Sequence, residues 1–158
     1  MRLFSGTLRE NLLLGLADPG DEAILEAARR TGLIELISGQ SKGLALEITE
    51  GGRGVSGGQK QLIGLTRLLL ANPQVWLLDE PTGSMDATTE ARMVALLGEA
   101  AARGATLLVA THKTALLPLL DRLILLQGGR IVLDGPRDQV LAKLAGKPQA
   151  AVQEGVAA

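Results

Sequence analysis

The fold class is decided by the stretch Val75-Trp76-Leu77-Leu78-Asp79-Glu80, an apolar run of strand length that ends in two carboxylates. Such a run is typical of a parallel strand that is buried on both faces. A helical pattern over residues 88–102 follows it and leads into a second run, Thr106-Leu107-Leu108-Val109-Ala110, which we predict to be another buried strand. The order of strand, helix and strand predicts a βαβ unit and therefore an α/β fold.

Polar side chains follow both predicted strands. Asp79 and Glu80 end the first strand, and Thr111-His112 follows the second. Ligands of open parallel sheets bind beyond the carboxyl ends of the strands, so we expect Asp79, Glu80 and His112 to meet in one crevice. There an imidazole can contact a γ-phosphate or orient a water. The alternative is that the two carboxylates are merely solvated at the strand end and that His112 is an ordinary surface or core residue.

A second candidate for ligand contact is the string Ser56-Gly57-Gly58-Gln59. It stands at the start of a helix that we predict to run to Ala71 and to stop at Asn72-Pro73. The unpaired amides and the positive dipole end of a helix start can hold a phosphate, and two glycines permit its close approach. The alternative is that Ser56 is only an N-cap and that the glycines only form a turn.

The remaining elements surround these stretches. We predict helices from a cap at Thr7 to about Leu14, over residues 22–31 and over residues 137–144. Residues 38–55 are rich in glycine, which predicts a loop with at most a short extended piece. Two short apolar runs, residues 122–126 and 131–133, flank Gly128-Gly129, and this pattern predicts a hairpin.

Length and composition limit the possible classes of protein. At 158 residues with 46% hydrophobic content, we expect one domain over residues 1–145, followed by a disordered tail over residues 146–158. The net charge of −1 provides no field that would attract nucleic acid. The absence of cysteine excludes disulfides and cysteine-ligated zinc, and it is compatible with a reducing cytoplasm.

No targeting or membrane-spanning pattern is found in the sequence. The longest Leu-rich stretch, residues 116–126, is interrupted by Pro118, Asp121 and Arg122, so we expect no segment to cross a bilayer. The residues after Met1 lack the apolar run of a signal peptide, and we expect the chain not to be exported itself.

In order and spacing, these motifs resemble those of the ABC-transporter ATPases. The string from Val55 to Gln59 resembles the ABC signature, with Val55 where the family usually has Leu. Residues 75–80 resemble a Walker B strand, residues 80–86 its exit with the D-loop, and Thr111-His112 the H-loop. Residues 3–12 are similar to the stretch that follows the Q-loop in exporter-type members. The resemblance extends from about residue 4 to about residue 138 and is very specific.

The resemblance implies a partial P-loop NTPase fold. A helical subdomain would occupy about residues 5–71, and an α/β region with a C-terminal hairpin would occupy residues 72–145. The implied cofactors are ATP and Mg²⁺. Glu80 would be the general base, Asp79 the Mg²⁺ carboxylate and His112 the γ-phosphate contact. The residues implied to contact nucleotide across a dimer are Ser56, Gly57, Gly58 and Gln59 for the ATP phosphate in trans, and Asp86 of the D-loop.

The resemblance also implies partners. These are a second ABC ATPase domain, packed head to tail, and the transmembrane domains of an exporter, whereas no nucleic acid is expected. The ATPase would then lie at the cytoplasmic face of the membrane through its partner domains. In wording, residues 3–12 and 83–86 are most similar to the ATPases of type I secretion exporters, which move peptides or proteins.

One motif of the family is absent from the sequence. No Gly-Lys-Ser/Thr string occurs, since Gly146-Lys147 is followed by Pro148. We therefore expect the Walker A half to be missing, whether encoded elsewhere, lost or clipped at Met1, and we expect this chain alone not to hydrolyse ATP. A second hypothesis is a non-enzymatic module that pairs through its signature with a complete subunit and modulates it. A third, an ATPase acting on DNA or ribosomes, is disfavoured because long coiled coils and basic segments are absent.

Overall fold

The computed structural model describes residues 2–146, so the predicted disordered tail lies, apart from Gly146, outside the described residues. The described residues form two compact units, residues 2–112 and residues 113–146. Within residues 2–146, every helix is too short or too polar to cross a membrane. The predicted division near residue 72 stays a prediction.

The first unit combines helices with two small sheets. Its helices are α1 (Leu8–Leu12), α2 (Asp21–Thr31), α3 (Ile34–Ser38), α4 (Gly57–Ala71) and α5 (Ala87–Ala102). Its strands are β1 (Gly6–Thr7), β2 (Glu47–Ile48), β3 (Val75–Asp79) and β4 (Thr106–Ala110). Strands β1 and β2 are antiparallel, whereas β3 and β4 are parallel. The predicted βαβ unit is therefore confirmed as β3, α5 and β4.

An apolar core joins α1, α2 and α4. Its buried side chains include Leu3, Leu8, Leu12, Ile24, Ala28, Leu33 and Ile63. In α2, Ile24 and Ala28 are four residues apart and lie on one face, as the helical period predicts. Where α2 meets α4, the hydroxyl oxygens of Thr31 and Thr66 are 2.8 Å apart, so these two buried polar groups satisfy each other.

Asn11 and Arg67 tie the N-terminal segment to α4. Asn11 is only 3% exposed, and its amide donates to the carbonyls of Phe4 at 2.9 Å and Thr7 at 3.0 Å. Its Oδ1 accepts from the Phe4 amide and from Nη2 of Arg67, each at 3.0 Å. Arg67 also donates from Nε to the main-chain carbonyl of Asn11, and burial lowers the pKa of Arg67. Both side chains are thus held by several hydrogen bonds.

The strand pair β3–β4 is covered on one face only. Trp76 and Leu78 are buried, whereas Leu77 between them is 71% exposed. Leu108, the register partner of Leu77 on β4, is 61% exposed. The prediction that these strands are buried on both faces is therefore wrong for the described chain. Alternate residues of a strand point to opposite faces, and residues 2–146 cover only one of them.

The second unit contains the predicted hairpin and helix. Strands β5 (Arg122–Gln127) and β6 (Arg130–Pro136) are antiparallel, a 3₁₀ turn at Thr114–Leu119 precedes them, and α6 (Arg137–Ala145) follows. Gly128 and Gly129 have φ values of 56° and 73°, the left-handed conformation that a tight hairpin turn requires. The hairpin prediction is thereby confirmed.

Candidate functional site

Glu80 and His112 meet beyond the carboxyl ends of β3 and β4. Nδ1 of His112 donates a hydrogen bond to Oε1 of Glu80 over 2.8 Å. The parallel register places Asp79 opposite Ala110, so the residues that follow the two strands stand side by side. The hydroxyl of Thr111 lies 3.4 Å from the other carboxylate oxygen, Oε2, and donates to it. The topology thus brings together the two residues predicted to be catalytic, while their roles stay predictions.

The electrostatics of this pair favour an ionised carboxylate. The hydrogen bond from His112 is the main cause that lowers the pKa of Glu80, and the imidazolium charge and Thr111 act in the same direction. The side chains of His112 and Glu80 are 80% and 41% exposed, so the pair faces solvent rather than the core. Exposed ion pairs add little to stability, so this contact contributes little to folding.

The backbone of Glu80 is held in an uncommon conformation. Its φ is 43°, in the left-handed region that residues with a Cβ seldom adopt. Its amide donates to the carbonyl of Ala110 over 2.9 Å, and its carbonyl accepts from the Gly83 amide over 3.1 Å. Such strain persists where neighbouring groups determine it, and it is frequent at functional sites.

Asp79 is the candidate ligand for Mg²⁺. It is the exposed last residue of β3, and it lines a cavity of about 440 Å³ that also touches Gln61 and Arg67 of α4. Mg²⁺ is commonly held by one or two protein carboxylates together with nucleotide phosphates and waters. Clusters of three or more metal-binding side chains are absent from residues 2–146. The exposed carboxylate of Asp79 is one ligand of the kind that Mg²⁺ accepts.

The start of α4 is capped by its own side chains. The amide of Gln59 donates to the hydroxyl of Ser56 over 3.2 Å, and the amide of Ser56 donates to Oε1 of Gln59 over 2.9 Å. This reciprocal pair is a capping box, so Ser56 is the N-cap of α4, and its contact with a phosphate stays a prediction. Gly57 and Gly58 occupy the first two helical positions, whose amides have no acceptor within the helix. These two amides are the groups available to an anion.

The two glycines also lie against the turn that follows Glu80. A Cβ added to Gly58 would be 3.2 Å from the carbonyl oxygen of Ser84, and one added to Gly57 would be 3.4 Å from the Ser84 side chain. Close packing is thus a second reason for glycine here. Further along the same turn, the carboxylate of Asp86 caps α5 by accepting from the Thr89 amide over 2.8 Å. Asp86 therefore has a structural role beside its predicted D-loop role.

One residue of the site escaped the sequence analysis. Nε2 of Gln61, on α4, donates to the carbonyl of Glu80 over 3.1 Å, and its Oε1 accepts from the Ser84 amide over 3.3 Å. A signal for it exists, because residues three and four positions apart share one helix face. Gln61 therefore lies on the same face as Gly57 and Gly58, which packs against Ser84.

The chain is similar to known proteins over most of its length. A family model described as ABC transporter matches residues 3–83, about half of the chain. The chain is 38% identical over 141 residues to the uncharacterized ABC transporter ATP-binding protein YknV of Bacillus subtilis (strain 168), a match that covers 89% of this chain and 23% of that protein. It is 40% identical over 143 residues to the glutathione/L-cysteine transport system ATP-binding/permease protein CydC of Escherichia coli (strain K12), covering 90% and 24%.

A solved structure shares the fold. A bacterial Atm1-family ABC exporter with ATP bound is similar with a TM-score of 0.79 and 27% sequence identity, over 90% of this chain and 25% of that chain. The chain therefore spans about a quarter of the length of these relatives.

Proposed function

The chain belongs to the ABC transporter family, and we propose that it is the portion of an exporter that binds and hydrolyses ATP. The relatives named above include an ATP-binding/permease protein and an exporter with ATP bound, and this chain corresponds to an ATP-binding part of such proteins. The observation that carries the proposal of hydrolysis is the contact between Glu80 and His112, beside Asp79, at the ends of two parallel strands.

Glu80 is the proposed general base. In the reaction, water attacks the γ-phosphorus of ATP, the bond between that phosphorus and the bridging oxygen breaks, and ADP and phosphate leave. Glu80 accepts the proton of the attacking water, for which it must be ionised, and its lowered pKa keeps it so. A lowered pKa also makes it a weaker base, so loosening of the hydrogen bond from His112 would strengthen it.

His112 is the proposed γ-phosphate contact. Its Nδ1 donates to Glu80, so Nε2 is the ring nitrogen that would donate to a phosphate oxygen, which requires a proton on both ring nitrogens. Asp79 would hold Mg²⁺ from the same edge of the sheet. When bound, Mg²⁺ neutralises charge on the phosphates.

The start of α4 is proposed to act on a different nucleotide. The amides of Gly57 and Gly58 point out of the helix start and would contact ATP held by a second ABC ATPase domain, packed head to tail. Transmembrane domains of the exporter would place the pair at the cytoplasmic face of the membrane. The peptide or protein cargo of type I secretion stays a prediction from residues 3–12 and 83–86.

The test begins with the native product in source cells, captured by an antibody against residues 147–158. We expect a mass well above 16.5 kDa and steady release of phosphate from ATP. Glu80→Gln should lower that release by about a hundredfold or more. Glu22→Gln, the same change at an exposed residue of α2, is the matched control and should leave it unchanged. Equal activity of wild type and Glu80→Gln would refute the role of the base.

A second candidate is a module that modulates a complete ABC ATPase without hydrolysing ATP. The observation that favours it is the exposed start of α4, whose capping box forms with this chain's own residues. A captured product of 16.5 kDa that inhibits a partner's ATPase in proportion to its dose would support this candidate. Substitution of Gly57 by Trp should then abolish the inhibition.

A further inference from the structure

We propose that Gln61 is a positioning residue, which holds the turn at residues 80–84 so that the Glu80 carboxylate meets His112. The proposal rests on the proposed function of Glu80 as the base. Gln61 itself lies one helical turn from the signature glycines and bonds only main-chain groups in the contacts described above.

The first argument is the geometry of the Gln61 side chain. Its amide nitrogen donates to the carbonyl of Glu80 over 3.1 Å, and its amide oxygen accepts from the Ser84 amide over 3.3 Å. The carbonyl and the amide of the main chain fix which end of the side-chain amide faces which, because a carbonyl only accepts and an N–H only donates. One side chain therefore clamps both ends of the turn.

The second argument is the conformation that the clamp maintains. With φ at 43°, Glu80 tends to relax unless its neighbours prevent it. Its carbonyl accepts from both Gln61 and the Gly83 amide, and its amide is bound to Ala110. The direction of the Glu80 side chain follows from this backbone conformation. Loss of the Gln61 hydrogen bond should therefore move the carboxylate away from His112.

The third argument concerns what the clamp connects. Gln61 belongs to the same helix as Gly58, and a Cβ on Gly58 would lie only 3.2 Å from the carbonyl oxygen of Ser84. The helix start and the turn after β3 thus share two contacts, one through Gly58 and one through Gln61. A displacement of the start of α4 would be transmitted to Glu80 through the rigid helix.

The experiment follows the contact between the His112 ring and the Glu80 side chain. In the native protein without nucleotide, at one neutral pH, NMR cross-relaxation between the ring protons of His112 and the side-chain protons of Glu80 reports that the two groups are close together. Gln61→Met has nearly the same volume and removes both hydrogen bonds. Gln40→Met, the same change at an exposed residue, is the matched control.

In the wild type and in Gln40→Met, we expect cross-relaxation between the two side chains, because Nδ1 of His112 lies 2.8 Å from Oε1 of Glu80. In Gln61→Met, we expect this signal to be lost and the Ser84 amide to exchange with solvent about tenfold faster or more. A merely structural role would lower stability without separating the two side chains. Unchanged cross-relaxation in folded Gln61→Met overturns the proposal. If Gln61→Met does not fold, Gln61→Asn, which is one methylene too short to bridge the turn, is expected to give the same loss.

A kinetic measurement on the native assembly separates this proposal from the proposed function. Gln61→Met should lower kcat about tenfold or more while the KM for ATP is unchanged, because a displaced base affects the chemical step and not substrate binding. Loss of the cross-relaxation between His112 and Glu80 with unchanged kcat would support the positioning role of Gln61 and would overturn the role of Glu80 as the base.

Discussion

The helices of the first unit and its parallel strand pair bury their apolar residues to different extents. Helices α1, α2 and α4 enclose a core among themselves, with a buried polar tie through Asn11 and Arg67. Strands β3 and β4 bury Trp76 on one face and expose Leu77 and Leu108 on the other. The helices thus bury their apolar faces against one another, whereas the strand pair has one uncovered apolar face that could accept another layer. Stability should therefore depend on the two faces of β3 very unequally.

The largest expected effect is at Trp76, which is fully buried on the covered face and donates from Nε1 to the carbonyl of Pro73 over 3.0 Å. Trp76→Ala should lower the free energy of unfolding by about 3–5 kcal/mol, through lost burial and a cavity. Leu77→Ala, the adjacent control on the exposed face, should cost under about 0.5 kcal/mol. Urea denaturation followed by circular dichroism measures both. Similar losses for the two variants would show that the faces are equally covered.

The next largest effect is expected at Asn11, whose hydrogen bonds connect the N-terminal segment to α4. Asn11→Ala removes the acceptor of Nη2 of Arg67 and the partner of two main-chain carbonyls. We expect a loss of about 2–3 kcal/mol, because buried polar groups are left unpaired. Gln40→Ala, at an exposed position, is the control for the same denaturation experiment. A loss as small as that of the control would mean that the tie contributes nothing.

A smaller effect is expected at the cap of α5, the helix between the two strands. Asp86→Ala should lower the melting temperature by about 2–4 °C at neutral pH. The hydrogen bond from the Thr89 amide lowers the pKa of Asp86. Its contribution is therefore present above the pKa of the unfolded state and is lost as the pH falls through the folded one. Asp86→Asn should keep the cap without the pH dependence, and calorimetry at several pH values checks this. If the melting temperature of Asp86→Asn fell at acid pH by as much as that of the wild type, this prediction would be contradicted.

The smallest change in stability is expected on the exposed face, where Leu77→Ser with Leu108→Ser should alter the free energy of unfolding by less than about 0.5 kcal/mol. Solubility should nevertheless rise, because exposed apolar strands favour association. Light scattering against temperature measures this. Unchanged aggregation would show that the uncovered face does not drive association.

Local features of the fold were predictable because local sequence determines them. Thr7 and Ser56 cap helices as their residue types predict, and Gly128-Gly129 closes the hairpin. The family resemblance is likewise confirmed, since it rests on the order of several motifs. Helix α3 was missed because five residues carry too little periodicity.

Other features depend on what lies opposite a residue in space. An apolar run identifies β3, but it cannot tell which face of the strand finds a covering layer. The contact between Glu80 and His112 followed from the topology, whereas the clamp by Gln61 did not. The spacing of Gln61 from Gly57 and Gly58 places it on their helix face, but the spacing does not show which turn packs against that face.

The burial of Trp76 has a spectroscopic consequence. The chain has one tryptophan and no tyrosine, so its near-ultraviolet emission comes almost wholly from a single indole on β3. A partner that bound to the exposed face of β3 would contact the same strand without displacing the indole of Trp76. The wavelength of the emission maximum would then report whether Trp76 stays buried, and quenching by iodide would report the solvent accessibility of its indole. The fluorescence of Trp76 therefore reports on β3, the strand with one buried and one exposed face.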